Sequence, residues 1–206
     1  KNILILTQYF WPEVFQINSV AENLTKKKVN VYVFTALPNY PDGEIKKKYQ
    51  NIKNIYYEKY KNINIYRCPI YPRKNSSFIN LTINYFSFVY YGIKYFRNIK
   101  ILNKIDHIIT YSTSPITANL PAIYLKYKYK IKLSIWVQDL WPECIKSTSY
   151  IKNSFILGLI NYLVKFIYKS CDQILVPSKS FVTNINHKVK NKKIIYLPNS
   201  AFNIKN

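Results

Sequence analysis

The sequence predicts an α/β domain built on a doubly wound, mostly parallel sheet. Three observations carry that expectation. Short, continuous apolar runs recur along the chain, as in strands buried on both faces. Longer stretches with helical spacing fall between them, so strand and helix alternate. The segments that follow the apolar runs gather Trp, Tyr, Pro, Asn and carboxylates, and sheets of this class bind ligands beyond the carboxyl ends of their strands.

Taken in order, the first run is Asn2–Thr7, with Ile3, Leu4, Ile5 and Leu6 at its centre, and a helix is expected over Ile17–Lys28. Strands follow at Asn30–Thr35 and Asn62–Arg67, then a long helix over Phe78–Ile99. Ile105–Tyr111 and Lys132–Gln138 are strand-like, separated by a helix over Pro115–Lys128. A helix over Ser154–Ser170, a strand at Asp172–Val176, a helix over Ser178–Val189 and a strand at Lys193–Leu197 complete the alternation. The repetition gives a Rossmann-like open sheet. In the long helix, Ile79, Ile83, Phe86, Tyr90 and Ile93 recur at helical spacing, and Phe155, Leu159, Tyr162 and Phe166 do so in the next apolar helix. Such stripes are read as core, with docking of a basic aromatic helix on a membrane as the alternative.

The chain has 206 residues, enough for one sizeable α/β domain. Hydrophobic residues make up 49%, so a buried core can form. Lys and Arg number 31 against 9 Asp and Glu, a net charge of +22. That field would attract nucleic acid, an anionic membrane or a phosphorylated substrate. A compositional origin competes: Lys, Asn, Ile, Tyr and Phe are all abundant while Gly is 3 and Met 0, and the basic residues are scattered. Without a clustered basic face or a nucleic-acid motif, no nucleic acid is expected as partner. Three cysteines and two histidines without metal-like spacing argue against a zinc site, and the thiols are read as reduced. The apolar stretch Ile79–Phe96 is broken by Asn80, Asn84 and Lys94, a poor membrane span. The chain is expected in the cytoplasm, at most peripheral on the inner face of the membrane.

The segments after the strands supply the candidates. Trp11 and Glu13 follow the first strand, Asn39 and Tyr40 the second, Ser114 the fourth, and Gln138, Asp139, Trp141 and Glu143 the fifth. Indoles, phenols, amides and carboxylates on one rim suit a sugar, held by stacking and hydrogen bonds. Each has a plainer use. The indoles can anchor loops, Asn39 can serve a Pro-rich turn, and Ser114 and Asp139 can cap helices. Glu13 and Glu143, in two Trp-Pro-Glu loops, can complement helix dipoles or brace each other's loop.

These same segments carry a resemblance. Tyr9–Glu13, Leu37–Pro41 and above all the octapeptide Trp136–Glu143 resemble family 4 glycosyltransferases. Within that family they are similar to the branch of the O-antigen N-acetyl-fucosamine transferases and a colanic acid transferase. Asn84–Phe88, Ser178–Phe181 and Tyr196–Asn199 fall where that branch has similar segments. The resemblance implies the N-terminal half of a GT-B fold. Residues 1–198 would form the acceptor-side domain, and 199–206 would begin the crossover to a donor-binding domain, supplied in cis or in trans. It also implies retaining transfer from a nucleotide-sugar to a lipid-linked saccharide in cell-envelope polysaccharide synthesis, with no metal and no cofactor. Asp139 would orient the acceptor hydroxyl or take its proton, and Gln138 would meet the donor. A non-catalytic module that only holds lipid-linked sugar is the alternative. Where relatives read Lys-Gly-His after the first helix, this chain reads Lys27-Lys28-Val29, so the usual capping glycine is missing.

Overall fold

The structure is a computed structural model and describes residues 1–75, 77–147 and 153–199. Its strands are β1 (Asn2–Leu6), β2 (Asn30–Ala36), β3 (Tyr56–Tyr60), β4 (Ile63–Cys68), β5 (His107–Ser112), β6 (Lys132–Val137), β7 (Gln173–Val176) and β8 (Lys193–Tyr196). Its helices are α1 (Gln16–Lys26), α2 (Phe78–Phe96), α3 (Leu120–Tyr129), α4 (Glu143–Ser147), α5 (Ser154–Ser170) and α6 (Lys179–Lys188). The strands form one sheet in the order β3-β4-β2-β1-β5-β6-β7-β8. Every pairing is parallel except β3 with β4. This is the doubly wound α/β sheet that the sequence predicts, and each expected strand lies within two residues of its observed ends.

β3 was not expected. It alternates half-buried Tyr56, Glu58 and Tyr60 with exposed Tyr57 and Lys59, the period of an antiparallel strand with one wet face. It contains no continuous apolar run. The helix expected over Pro115–Lys128 divides into a 3-10 turn at Ile116–Asn119 and α3. Pro121, which lacks an N–H, falls in the first turn of α3, where no intrahelical partner is needed.

The core has two layers. On one face of the sheet α1 sets Ile17 and Ala21 against Ile3, Ile5, Val31, Val33, Ile63 and Ile65. On the other, residues of α2, α3, α5 and α6 join one larger cluster through Phe88, Ile123, Ile167 and Ile185. The two apolar stripes expected in the core face mainly outward. In α2 the buried residues are Asn84, Phe88, Gly92 and Phe96, while Ile79, Ile83, Phe86 and Tyr90 face outward. In α5, Val164, Ile167 and Tyr168 are buried and Phe155, Leu159, Tyr162 and Phe166 are exposed. Both helices are apolar on several sides, so spacing alone does not choose the inward face. Close approach chooses it in α2: a Cβ at Gly92 would lie 3.0 Å from Pro121 Cγ.

The missing glycine after α1 is replaced in kind. Lys28 takes φ 61°, in the left-handed region, and the amides of Lys28 and Val29 reach back to Thr25 and Leu24. Among the described residues no helix is long and apolar enough to cross a membrane. Cys68, Cys144 and Cys171 are free thiols, and burial pushes Cys144 and Cys171 up to about 11. Of the expected crossover, residues 200–206 lie outside the described residues.

Candidate functional site

β1 lies between β2 and β5, and the connections leave it first toward β2 and later toward β5. Open sheets of this class form a crevice at the carboxyl ends of their strands where the order reverses. The rim loops after β1, β2, β4, β5 and β6 surround that point.

Glu13 organises the first two loops. It is only 3% exposed, and its Oε1 accepts the amides of Asn39 and Tyr40 at 2.9 and 2.8 Å. Its Oε2 accepts the amide of Phe10 at 3.2 Å. Burial lifts its pKa to about 7, against the pull of these three amides and of Arg67. Glu13 therefore braces the loops from inside and does not face the crevice. It does not act on the dipole of α1 either, because its carboxylate is spent on other amides.

Below it lies Arg67, fully buried. Its Nε donates to Glu58 Oε1 at 2.5 Å, its Nη1 to the carbonyl of Ala36 at 3.2 Å, and its Nη2 to the carbonyl of Trp11. Burial opposes ionisation of Glu58, yet Arg67, Lys48 and Tyr49 hold its carboxyl below the ordinary value. Trp11 stacks on Tyr60 with ring centroids 4.1 Å apart, so one face of the indole anchors the first loop on β3.

A second buried group ties three loops to α2. Gln8 Nε2 donates to Asn84 Oδ1 at 2.8 Å and to the Tyr9 hydroxyl at 3.1 Å. Asn84 Nδ2 donates to the carbonyl of Tyr71 at 2.6 Å and to Asn39 Oδ1 at 3.3 Å. Asn39 is thus interior, with its amide engaged, and is not a surface for an acceptor. The Oε1 of Gln8 is buried without a partner. Tyr40, next in the chain, is the exposed ring of this loop, beside exposed Pro41, Asp42 and Glu44. Arg73, from the loop after β4, lies over its ring at 5.3 Å. Arg73 takes part in none of the ion pairs among the described residues, and its Nε is buried without a partner.

Asp139 joins the β5 and β6 loops. Its Oδ2 accepts the amide and the hydroxyl of Ser114 at 2.7 and 2.8 Å. Trp141 Nε1 donates to the same hydroxyl at 3.2 Å. Asp139 caps neither α3 nor α4; it is half-buried at the rim and held in one orientation. The Ser114 amide, committed to a carboxylate, is closed to a phosphate. Gln138 Oε1 accepts from Asn199 Nδ2 at 2.9 Å, and its own Nε2 is buried without a partner. Glu143 pairs with Lys188 of α6 at 2.6 Å. Burial raises its pKa, but the Lys188 contact outweighs this and leaves the carboxyl below its ordinary value. The two Trp-Pro-Glu loops do not form a carboxylate pair: one glutamate is interior and the other is paired with Lys188 of α6. The peptide bonds before Pro12, Pro41, Pro115 and Pro142, one in each of these four rim loops, are all cis.

What the crevice offers to a ligand is therefore Asp139, Ser114 Oγ, Trp141, Tyr40 and Arg73. Arg73, Arg67, Gln8 and Asn84 were missed in the sequence. A lone amide on an apolar helix was the available signal for Asn84, and an arginine at the end of a buried strand was that for Arg67. A separate concavity of about 910 Å³ opens at the other ends of the strands, beside Asp106, His107, Lys132 and Asp172, and borders none of these residues.

A solved structure of sucrose-phosphate synthase from Thermosynechococcus elongatus superposes with a TM-score of 0.55 at 15% identity, covering 96% of this chain and 47% of that one. The chain thus spans about half the length of that synthase. A second structure of the same synthase gives a TM-score of 0.56 at 13% identity, with 98% of this chain and 91% of that chain covered. Acinetobacter baumannii MurG, at 13% identity and covering 100% of this chain and 47% of its own, reaches a TM-score of only 0.47. At such identities the first two likenesses establish the fold alone, a GT-B-type α/β domain. No curated protein sequence matches the chain. Residues 16–201 match the model of Glycosyltransferase Family 4, and the chain belongs to that family.

Proposed function

We propose that this domain is the acceptor half of a glycosyltransferase that moves a sugar from a nucleotide-sugar to a lipid-linked saccharide during cell-envelope polysaccharide synthesis. The branch is that of the O-antigen N-acetyl-fucosamine and colanic acid transferases, on the strength of the octapeptide Trp136–Glu143. The observation that carries the reading is Asp139, fixed by Ser114 at the mouth of the crevice beside Trp141. Both bonds from Ser114 fall on Oδ2, which leaves Oδ1 to orient an acceptor hydroxyl or to draw its proton. Trp141 and Tyr40 supply faces for a sugar ring. Arg73, without a carboxylate partner, suits the phosphate of the acceptor. Gln138, tied to Asn199, sits where the donor-binding half would join, and its unpartnered Nε2 suits a donor oxygen. Transfer with retention leans on the donor's own phosphate, so Asp139 positions more than it abstracts.

The test supplies the donor half, fused or as a separate chain, and follows labelled sugar from a nucleotide-sugar panel to a polyprenyl-diphosphate-linked acceptor. Transfer that needs both halves supports the reading. Acceptor binding with no transfer for any donor would replace it with the non-catalytic binding module.

A further inference from the structure

The outward faces of α2 and α5 are the strongest feature that the crevice does not use. Phe78, Ile79, Phe86 and Tyr90 of α2 are 55%, 69%, 59% and 61% exposed. Phe155, Leu159, Tyr162 and Phe166 of α5 are 72%, 56%, 76% and 46% exposed. Single exposed apolar residues are ordinary, but two four-residue aromatic and aliphatic rows on helices that both pack against α3 are not.

We propose that these two faces seat the chain on an anionic lipid bilayer, with the rim opening along the membrane surface. Charge favours lipid over the other occupants. No Asp or Glu occurs between Glu58 and Asp106 or between Glu143 and Asp172, so neither helix nor its flanks carries a negative group. Lys94 stands beside the exposed Tyr90 ring at 5.8 Å, and Lys169 is exposed in the last turn of α5. A second copy of a chain with net charge +22 would bring two faces of the same sign together, whereas acidic headgroups compensate them. Neither helix can span, so the contact is in the plane of the interface, aromatic rings among the headgroups and lysines above them.

Topology sets the orientation. α2 starts after the loop that follows β4, and α5 after the segment that follows β6, so both helices begin at the carboxyl ends of the strands. Phe78, Ile79, Phe155 and Leu159 therefore lie next to the crevice, and Tyr90 lies about 18 Å further along α2. The proposal deepens the acceptor reading and rests on it for its purpose, because a polyprenyl-linked sugar is delivered at the surface of a bilayer.

The experiment is flotation of the full chain with phosphatidylcholine vesicles, with and without phosphatidylglycerol. The chain is expected to float with the phosphatidylglycerol vesicles and to be released by salt. Phe86→Ser combined with Tyr162→Ser, and separately Lys94→Glu combined with Lys169→Glu, should each lower partitioning by about tenfold or more. Circular dichroism and thermal unfolding should be unchanged, since all four side chains point to solvent. A wild-type chain that stays with the soluble fraction, or variants that float equally well, would overturn the proposal. So would a wild-type dimer that the Phe86→Ser, Tyr162→Ser chain fails to form, which would make the face a contact between copies. Flotation uses no nucleotide-sugar, and transfer to a short-chain, water-soluble acceptor uses no vesicle. Loss of one leaves the other standing.

Discussion

The carboxylate of Glu13 accepts the amides of Asn39 and Tyr40 at 2.9 and 2.8 Å, so one buried side chain after β1 sets the path of the loop after β2. The crevice takes part of its shape from that contact, because the pinned amide of Tyr40 places its exposed ring at the rim.

Glu13 gives stability a distinctive pH dependence. Its folded pKa, about 7, lies above the ordinary carboxylate value, so the folded state holds the proton longer. Its contribution is then largest below about pH 4 and declines as pH rises from about 4 to 7, by on the order of 3 kcal/mol. Half-buried His107, lowered chiefly by desolvation, works in the opposite direction, so a difference curve is needed. Unfolding of wild type and Glu13→Gln across this range should show the variant gaining relative stability toward pH 8. Parallel curves would mean that Glu13 titrates as an ordinary carboxylate.

Asn84→Leu removes the centre of the buried amide group and strands Gln8, the Asn39 amide oxygen and the Tyr71 carbonyl. The expected cost is about 2–4 kcal/mol in urea unfolding. A loss under about 1 kcal/mol would show that these groups find other partners.

Gly43 sits at φ 82°, and a Cβ there would fall 2.1 Å from the carbonyl oxygen of Lys74. The amide of Lys74 also donates to Gly43 O at 2.7 Å, which holds the Arg73 loop against the Tyr40 loop. Gly43→Ala should destabilise the fold by about 2 kcal/mol or more and speed hydrogen exchange at Lys74. Unchanged exchange at Lys74 would mean that the two loops are held elsewhere.

Lys28 occupies the left-handed turn that normally takes glycine, and it is exposed. Lys28→Gly should stabilise the chain by about 1 kcal/mol. A lower melting temperature would argue that the lysine side chain contributes more than its backbone costs.

Asp139→Asn tests the proposed site. Asparagine keeps an oxygen for the Ser114 amide, so thermal stability should move little. Transfer with the donor half supplied should fall on the order of a hundredfold. Full activity would reduce Asp139 to a loop tie.

The parallel strands were legible because burial on both faces leaves an unbroken apolar run, as in Ile3–Leu6. β3 was not, because its alternation is weak in a chain so rich in Tyr and Lys. The inward face of α2 was hidden for a related reason: with rings on every side, the deciding events are the fit of Gly92 to Pro121 and of Asn84 to Gln8, both set by distant sequence. Asp139, Ser114, Trp141 and Tyr40 were legible as rim residues. That Glu13 and Asn39 turn inward was not, because it depends on how one loop folds over another.

The edge strand β3 limits how this domain can be re-engineered. The stretch joining β2 to β4 is the natural place to trim when grafting the domain onto another protein, since it lies outside the parallel core. Yet it carries Glu58, the counter-charge of a fully buried guanidinium, and Tyr60, the plate under Trp11. A shortened chimaera would keep its sheet and lose its entrance, with Arg67 stranded beneath loops that it had helped to hold.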